Sequence, residues 1–170
     1  ACVCVAGSNQ QAAGALFASS RFWLFLPACR GDWLQPMRVS LVTGGHGGLG
    51  IAIARSLLEQ GHDHQVWLGV RARRERADEL LGRFLDRCHP VHLDVTDRGE
   101  WGPAVAKIEA THGRLDLRVN NEGSAEDGLL ATMPTEAWNR VLASNHDSVF
   151  HGCQAVLPGM ISRRSGRLIN

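Results

Sequence analysis

No tyrosine occurs anywhere in the 170 residues, so the chain has no phenolic acid to offer to any reaction. Excess charge is missing too. Lysine and arginine number 18 against 17 aspartate and glutamate, for a net charge of +1, which implies no nucleic-acid partner and no anionic membrane surface. The five cysteines (Cys2, Cys4, Cys29, Cys88 and Cys153) are odd in number and scattered, which excludes a disulfide framework and makes a reducing cytoplasm the expected location. No four-ligand zinc set can be assembled, because Cys2-x-Cys4 lacks a second pair and Cys88-His89 with His92 sits at a strand start; no metal is expected. A long hydrophobic run is also lacking. The apolar stretch from Ala12 to Cys29 contains Arg21 and is short against the roughly 20 residues a membrane span needs. What remains is 44% hydrophobic, enough for one globular domain with a core.

Residues 1–36 read as a segment outside the fold, disordered or loosely packed. They hold no acidic residue before Asp32, as in a transit or signal segment. The plainer reading makes Met37 the natural start and the preceding stretch translated upstream or cloning-derived sequence, because a strand begins directly after Met37.

The richest stretch is Thr43-Gly44-Gly45-His46-Gly47-Gly48-Leu49-Gly50. Before it, Arg38-Val39-Ser40-Leu41-Val42 reads as a buried strand; after it, Ile51 to Leu58 carries apolar residues at helical spacing. Strand, glycine turn and helix together make a dinucleotide cradle, with glycines letting the backbone approach a pyrophosphate set against free N–H groups of the helix N-terminus. A glycine-rich surface turn is the bland alternative.

From residue 37 to 170 strands and helices alternate. Strands are expected at 39–42, 65–70, 90–95 and 115–120, with a fifth starting near 166; helices at 48–60, 73–87, 101–112 and, broken or ended near Pro158-Gly159, 135–163. This pattern predicts an α/β Rossmann-type doubly wound parallel sheet, strand order 3-2-1-4-5, truncated after the start of strand five.

Several motifs in register make the resemblance to the short-chain dehydrogenase/reductase family. T-G-x-x-x-G-x-G at Thr43–Gly50 is followed by Leu93-Asp94-Val95-Thr96-Asp97, by Asn120-Asn121-Glu122-Gly123 (similar to N-N-A-G), and by Asp127-Gly128-Leu129-Leu130-Ala131-Thr132-Met133. Trp138, Asn145, Phe150 and Gly166-Arg167-Leu168-Ile169-Asn170 complete a pattern that resembles the 3-oxoacyl-acyl-carrier-protein and acetoacetyl-CoA reductase branch over residues 38–170. The resemblance implies an oxidoreductase transferring hydride to a keto group of an acyl-carrier- or CoA-linked 3-oxoacyl thioester, in a cytoplasmic homo-oligomer (dimer or tetramer) active in fatty acid biosynthesis. It implies cofactor contacts at Thr43, Gly44, His46, Gly47, Gly48, Leu49 and Gly50, adenine contacts at Asp94 and Val95, and ribose contacts at Asn121, Glu122 and Gly123. Asn145 matches the helix asparagine whose backbone anchors a water chain in the family's proton relay. Asp94 also reads as a plain turn cap, and Asp97 as the cap of the next helix.

Cofactor choice turns on the end of strand two, where Val70-Arg71-Ala72-Arg73-Arg74 holds no acid until Glu75. An acid would select NAD(H) through the ribose 2′-hydroxyl; Arg71 suits the 2′-phosphate of NADP(H). The competing reading is a solvated basic helix start.

Three residues depart from the family pattern: Glu122 for alanine, where a carboxylate crowds the ribose and repels phosphates; Arg118 inside an otherwise apolar strand; and His146 for leucine. The family's catalytic serine and Tyr-x-x-x-Lys have no counterparts among the 170 residues. The expectation is the cofactor half of an NADP(H)-dependent reductase, inactive alone; the alternative is a non-catalytic dinucleotide-binding fragment or a degraded gene product.

Overall fold

The computed structural model describes residues 2–4, 38–61, 63–72 and 75–170. In chain order the elements are β1 (Cys2–Cys4), β2 (Arg38–Thr43), α1 (Gly48–Glu59), β3 (His64–Val70), α2 (Glu75–Arg83), β4 (Cys88–His92), α3 (Arg98–His112), β5 (Leu117–Val119), α4 (Thr135–Leu142), α5 (Ser148–Arg163) and β6 (Arg167–Ile169). A 3-10 turn at Leu130–Thr132 precedes α4, and a π turn at Ala143–Asp147 joins α4 to α5.

The strands lie in the order β1-β6-β5-β2-β3-β4. From β4 to β6 every pairing is parallel, so the strands counted from Arg38 run 3-2-1-4-5, as the alternation of elements predicts. Period-2 alternation sends successive side chains to opposite faces. Val39, Leu41 and Trp67 face one cluster with Trp101, Val105 and Ile108 of α3 and Val156 and Met160 of α5. Val42, Val66, Leu68 and Val70 face the other, with Ala54 and Leu58 of α1 and Ala77 and Leu80 of α2. Both faces are therefore covered, which is why β2 and β3 read as near-continuous apolar runs.

Helix boundaries follow local chemistry. Asp97 caps α3, its carboxylate accepting from the Gly99 N–H at 2.7 Å, and Gly113 closes the helix at φ +71°. Asp97→Ala is expected to cost about 1 kcal/mol of stability, read as a lower urea midpoint at unchanged slope.

Two expectations need correction. Pro158 does not interrupt the last long helix: α5 runs through it to Arg163, because the carbonyl that proline leaves unpaired belongs to Gln154 on the solvent side. The expected helix over 135–163 is unbroken, widened by one π turn at Ala143–Asp147. Cys2–Cys4, expected outside the fold, pairs antiparallel with Arg167–Ile169 and covers that sheet edge; the rest of residues 1–37 lies outside the described residues. Among the described residues no helix is long and apolar enough to cross a membrane.

Candidate functional site

The parallel strands end together at Thr43, Val70, His92 and Val119, and the order reverses between β3 and β5, on either side of β2. Open α/β sheets bind ligands in the crevice at such a switch point. The turn that leaves β2 there is tightly built. Gly44 has φ +65°, and a side chain on it would meet the Glu122 carboxylate and the Asn121 amide. A side chain on Gly50 would run into the Gly44 carbonyl, whereas one on Gly48 would meet nothing within 4 Å. The Gly47 N–H donates to the Gly44 carbonyl at 2.9 Å and closes the loop.

Helix α1 begins with Gly47 as a cap that has no side chain to offer, and its first turn holds no acid. The N–H groups of that turn have no intrahelical acceptor and lie at a positive helix end. His46 is half-buried with Nδ1 buried and unpartnered, and Leu49 stands exposed beside it. Bare N–H groups, a turn without room for a side chain at Gly44 or Gly50 and an orphaned ring nitrogen together fit a pyrophosphate. One group opposes it: the Glu122 carboxylate lies against Gly44.

Thr43 and Asn121 hold the turn rather than face the crevice. The buried Thr43 hydroxyl donates to the Val119 carbonyl (3.3 Å) and accepts from the N–H groups of Asn121 (3.0 Å) and Glu122 (3.1 Å). The Asn121 amide donates to the carbonyls of Thr43 (2.9 Å) and Gly44 (3.3 Å). β5 and the turn are thereby one rigid unit.

Beside the turn opens a cleft of about 410 Å³, lined in part by Arg71, Asp94, Val95, Glu122 and Gly123, all five singled out from the sequence. Arg71 donates to Asp94 at 3.1 Å across its mouth, and its side chain is 68% exposed. Partial burial pushes the Asp94 carboxyl up, but hydrogen bonds from the Thr96 hydroxyl and N–H, and then Arg71, outweigh it and hold the group below the usual carboxylate range. Asp94 therefore does cap its turn, while still facing the cleft. Arg73 and Arg74 lie outside the described residues. Asn145, in the π turn, grips the loop after β5: its amide donates to the Ser124 carbonyl at 2.6 Å and accepts from the Ser124 N–H at 3.2 Å.

Sequence reasoning missed Gly45, whose N–H donates to the Gly69 carbonyl at 3.1 Å and whose missing side chain leaves room for Leu68. It also missed Arg140, which pairs with Glu126 through two bonds of 2.7 and 2.8 Å on the cleft wall. No spacing signal links a loop acid to an arginine in the following helix.

Of the three departures from the family pattern, His146 is exposed and buries no charge. Arg118 is buried with hydrogen-bond and ring partners but, among the described residues, no counter-ion. Its guanidinium donates to the carbonyls of Ser148 (3.3 Å) and Val149 (3.2 Å), meets Cys153 Sγ at 3.4 Å and stacks 4.4 Å from the Trp101 ring.

A glycine turn between the first strand and helix, at the switch point of a 3-2-1-4-5 sheet, defines a Rossmann-type dinucleotide-binding domain. The short chain dehydrogenase pattern matches residues 38–170. The chain is 33% identical to a 3-oxoacyl-acyl-carrier-protein reductase of Chlamydia muridarum, with 78% of this chain and 54% of that protein covered. It is 36% identical to the 2-(R)-hydroxypropyl-CoM dehydrogenase of Xanthobacter autotrophicus, covering 78% and 55%. The crystal structure of a short-chain dehydrogenase from Streptomyces avermitilis superposes with a TM-score of 0.71 at 32% identity, over 76% of this chain and 47% of that one. The chain belongs to the short-chain dehydrogenase family, a family of oxidoreductases that bind nicotinamide dinucleotides. It spans about half the length of the curated relatives it matches.

Proposed function

We propose that this chain is the NADP(H)-binding part of a short-chain reductase that, as a whole protein, reduces the keto group of a 3-oxoacyl thioester carried on acyl carrier protein or CoA. The observation that carries the cofactor reading is the bare glycine turn beside a cleft that Arg71 lines, with no acid at the end of the strand that Arg71 leaves. When bound, the reduced nicotinamide supplies the hydride. The chain's own contribution is to hold the carrier: the turn's N–H groups take the pyrophosphate, Asp94 and Val95 take the adenine, and Arg71 leaves Asp94 to take the 2′-phosphate, a partner that its forked guanidinium fits better than a lone carboxylate oxygen. Asn145 keeps the loop after β5 in place by its paired bonds to Ser124.

With no tyrosine in these 170 residues, the family's proton donor is not supplied here, and we assign the isolated chain binding without turnover. Assembly of the whole protein as a homo-oligomer would use the face of α4 and α5, where Trp138, Phe150 and Ile161 are exposed.

A fluorescence titration tests the reading, since the five tryptophans give an energy-transfer signal to bound reduced nicotinamide. NADPH is expected to bind more tightly than NADH. Arg71→Ala should weaken NADPH by about tenfold or more, roughly 1.4 kcal/mol, and leave NADH nearly unchanged. Equal loss for both cofactors would remove Arg71 from the 2′-phosphate.

A further inference from the structure

The cradle contains one group of the wrong sign. We propose that Glu122 acts as a built-in competitor for the phosphate turn, setting the affinity of the site for dinucleotides below what the turn itself would give; this rests on the cofactor reading above. The Glu122 carboxylate fills the space that a side chain on Gly44 would take, directly against the first residue of the turn. Helix α1 has no acid in its first turn and no capping side chain, so its positive end is otherwise uncompensated and favours an anion nearby. Glu122 brings that anion from the loop that leaves the end of β5, next to the turn.

The backbone leaves Glu122 no retreat. Its N–H is held at 3.1 Å by the Thr43 hydroxyl, which also holds the neighbouring Asn121 N–H at 3.0 Å. Only rotation of the side chain can clear the turn. Glu122 lines the same cleft as Arg71 and Arg140, but Asp94 and Glu126 already pair with those two cations, so the displaced carboxylate finds no free counter-ion there. Binding a pyrophosphate therefore requires one anion to displace another, and the free-state contact between Glu122 and the turn is lost at that moment.

The neutral and truncated variants separate charge from bulk. Glu122→Gln and Glu122→Ala are expected to bind NADPH at least tenfold more tightly than the wild type, with most of the gain already present in the glutamine variant. The advantage should shrink as salt is raised, because it is Coulombic. Adenosine, which brings no phosphate, should bind all three proteins alike. Tightening in Glu122→Ala alone would make the effect one of bulk and overturn the proposal. So would unchanged NADPH affinity in both variants while the wild type binds: the cofactor reading would stand and this inference would fall. If neither wild type nor variants bind NADPH while circular dichroism shows all three folded, both readings fall. Binding by the variants alone would support both.

Discussion

Gly50→Ala is expected to abolish most dinucleotide binding, weakening NADPH about a hundredfold or more, which corresponds to roughly 2.8 kcal/mol. The new methyl group would land on the Gly44 carbonyl oxygen and 2.9 Å from the Asn121 amide. Neither neighbour is a flexible side-chain end. The Gly44 carbonyl is fixed by the Gly47 N–H at 2.9 Å, and the Asn121 amide is spent on the carbonyls of Thr43 and Gly44. Relief of the clash must move the turn itself, and with it the N–H groups aimed at the phosphates. Overpacking of this kind costs about 1–3 kcal/mol of fold stability as well. Gly48→Ala is the contrast. A methyl there meets nothing within 4 Å, and alanine is the better helix former by roughly 1 kcal/mol, so the fold should be unharmed or steadied. Wild-type NADPH affinity in a folded Gly50→Ala variant would mean that the phosphates do not rest on this turn.

How much of this was legible in the sequence differs by element. β2 and β3 declared themselves because a central parallel strand is apolar on both faces, and Val39, Leu41, Val66 and Leu68 are all fully buried. The glycine turn was legible because a positive φ at Gly44 and the absence of space at Gly50 leave few other residue types possible. Arg71, Asp94, Val95, Glu122 and Gly123, separated by up to 52 positions, line one cleft because each follows the end of a strand and the strands end on one side. The π turn at Ala143–Asp147 was not legible: the helical spacing of its flanks continues through it, while Pro158 gives the stronger local signal and yet sits harmlessly on the solvent side. The Arg140–Glu126 pair and the pairing of Cys2–Cys4 with β6 are set by tertiary approach, which periodicity does not encode.

Arg118 and Gly152 are expected to behave as one unit, with Gly152→Ala costing about 2–3 kcal/mol in the wild type and only part of that once Arg118 is replaced by methionine, because the Trp101 ring still meets the new methyl group. The reason is spatial. A side chain on Gly152 would occupy the place of the Arg118 guanidinium and press on the Trp101 ring, so the glycine is the hollow into which the arginine fits. The charge itself is another matter. Arg118 is 1% exposed, and among the described residues no carboxylate lies within ion-pair distance of it. Burial pulls its pKa down to about 10, with Cys153 offsetting part of the fall. The unfolded chain thus holds this proton more tightly than the folded one, so the charge works against folding at every pH below about 10 and is relieved only above it. Arg118→Met, which keeps the bulk against Trp101 and drops the charge, should therefore leave stability within about 1 kcal/mol of the wild type or raise it. Arg118→Ala should cost about 2 kcal/mol or more, because the space beside Gly152 and Trp101 is left empty. Urea unfolding of the three single variants and the Arg118→Met/Gly152→Ala double variant measures every term. If methionine proved as damaging as alanine, the carbonyl and ring contacts of the guanidinium would outweigh its desolvation. The buried cation would then hold the start of α5 against β5 by its charge rather than by its volume.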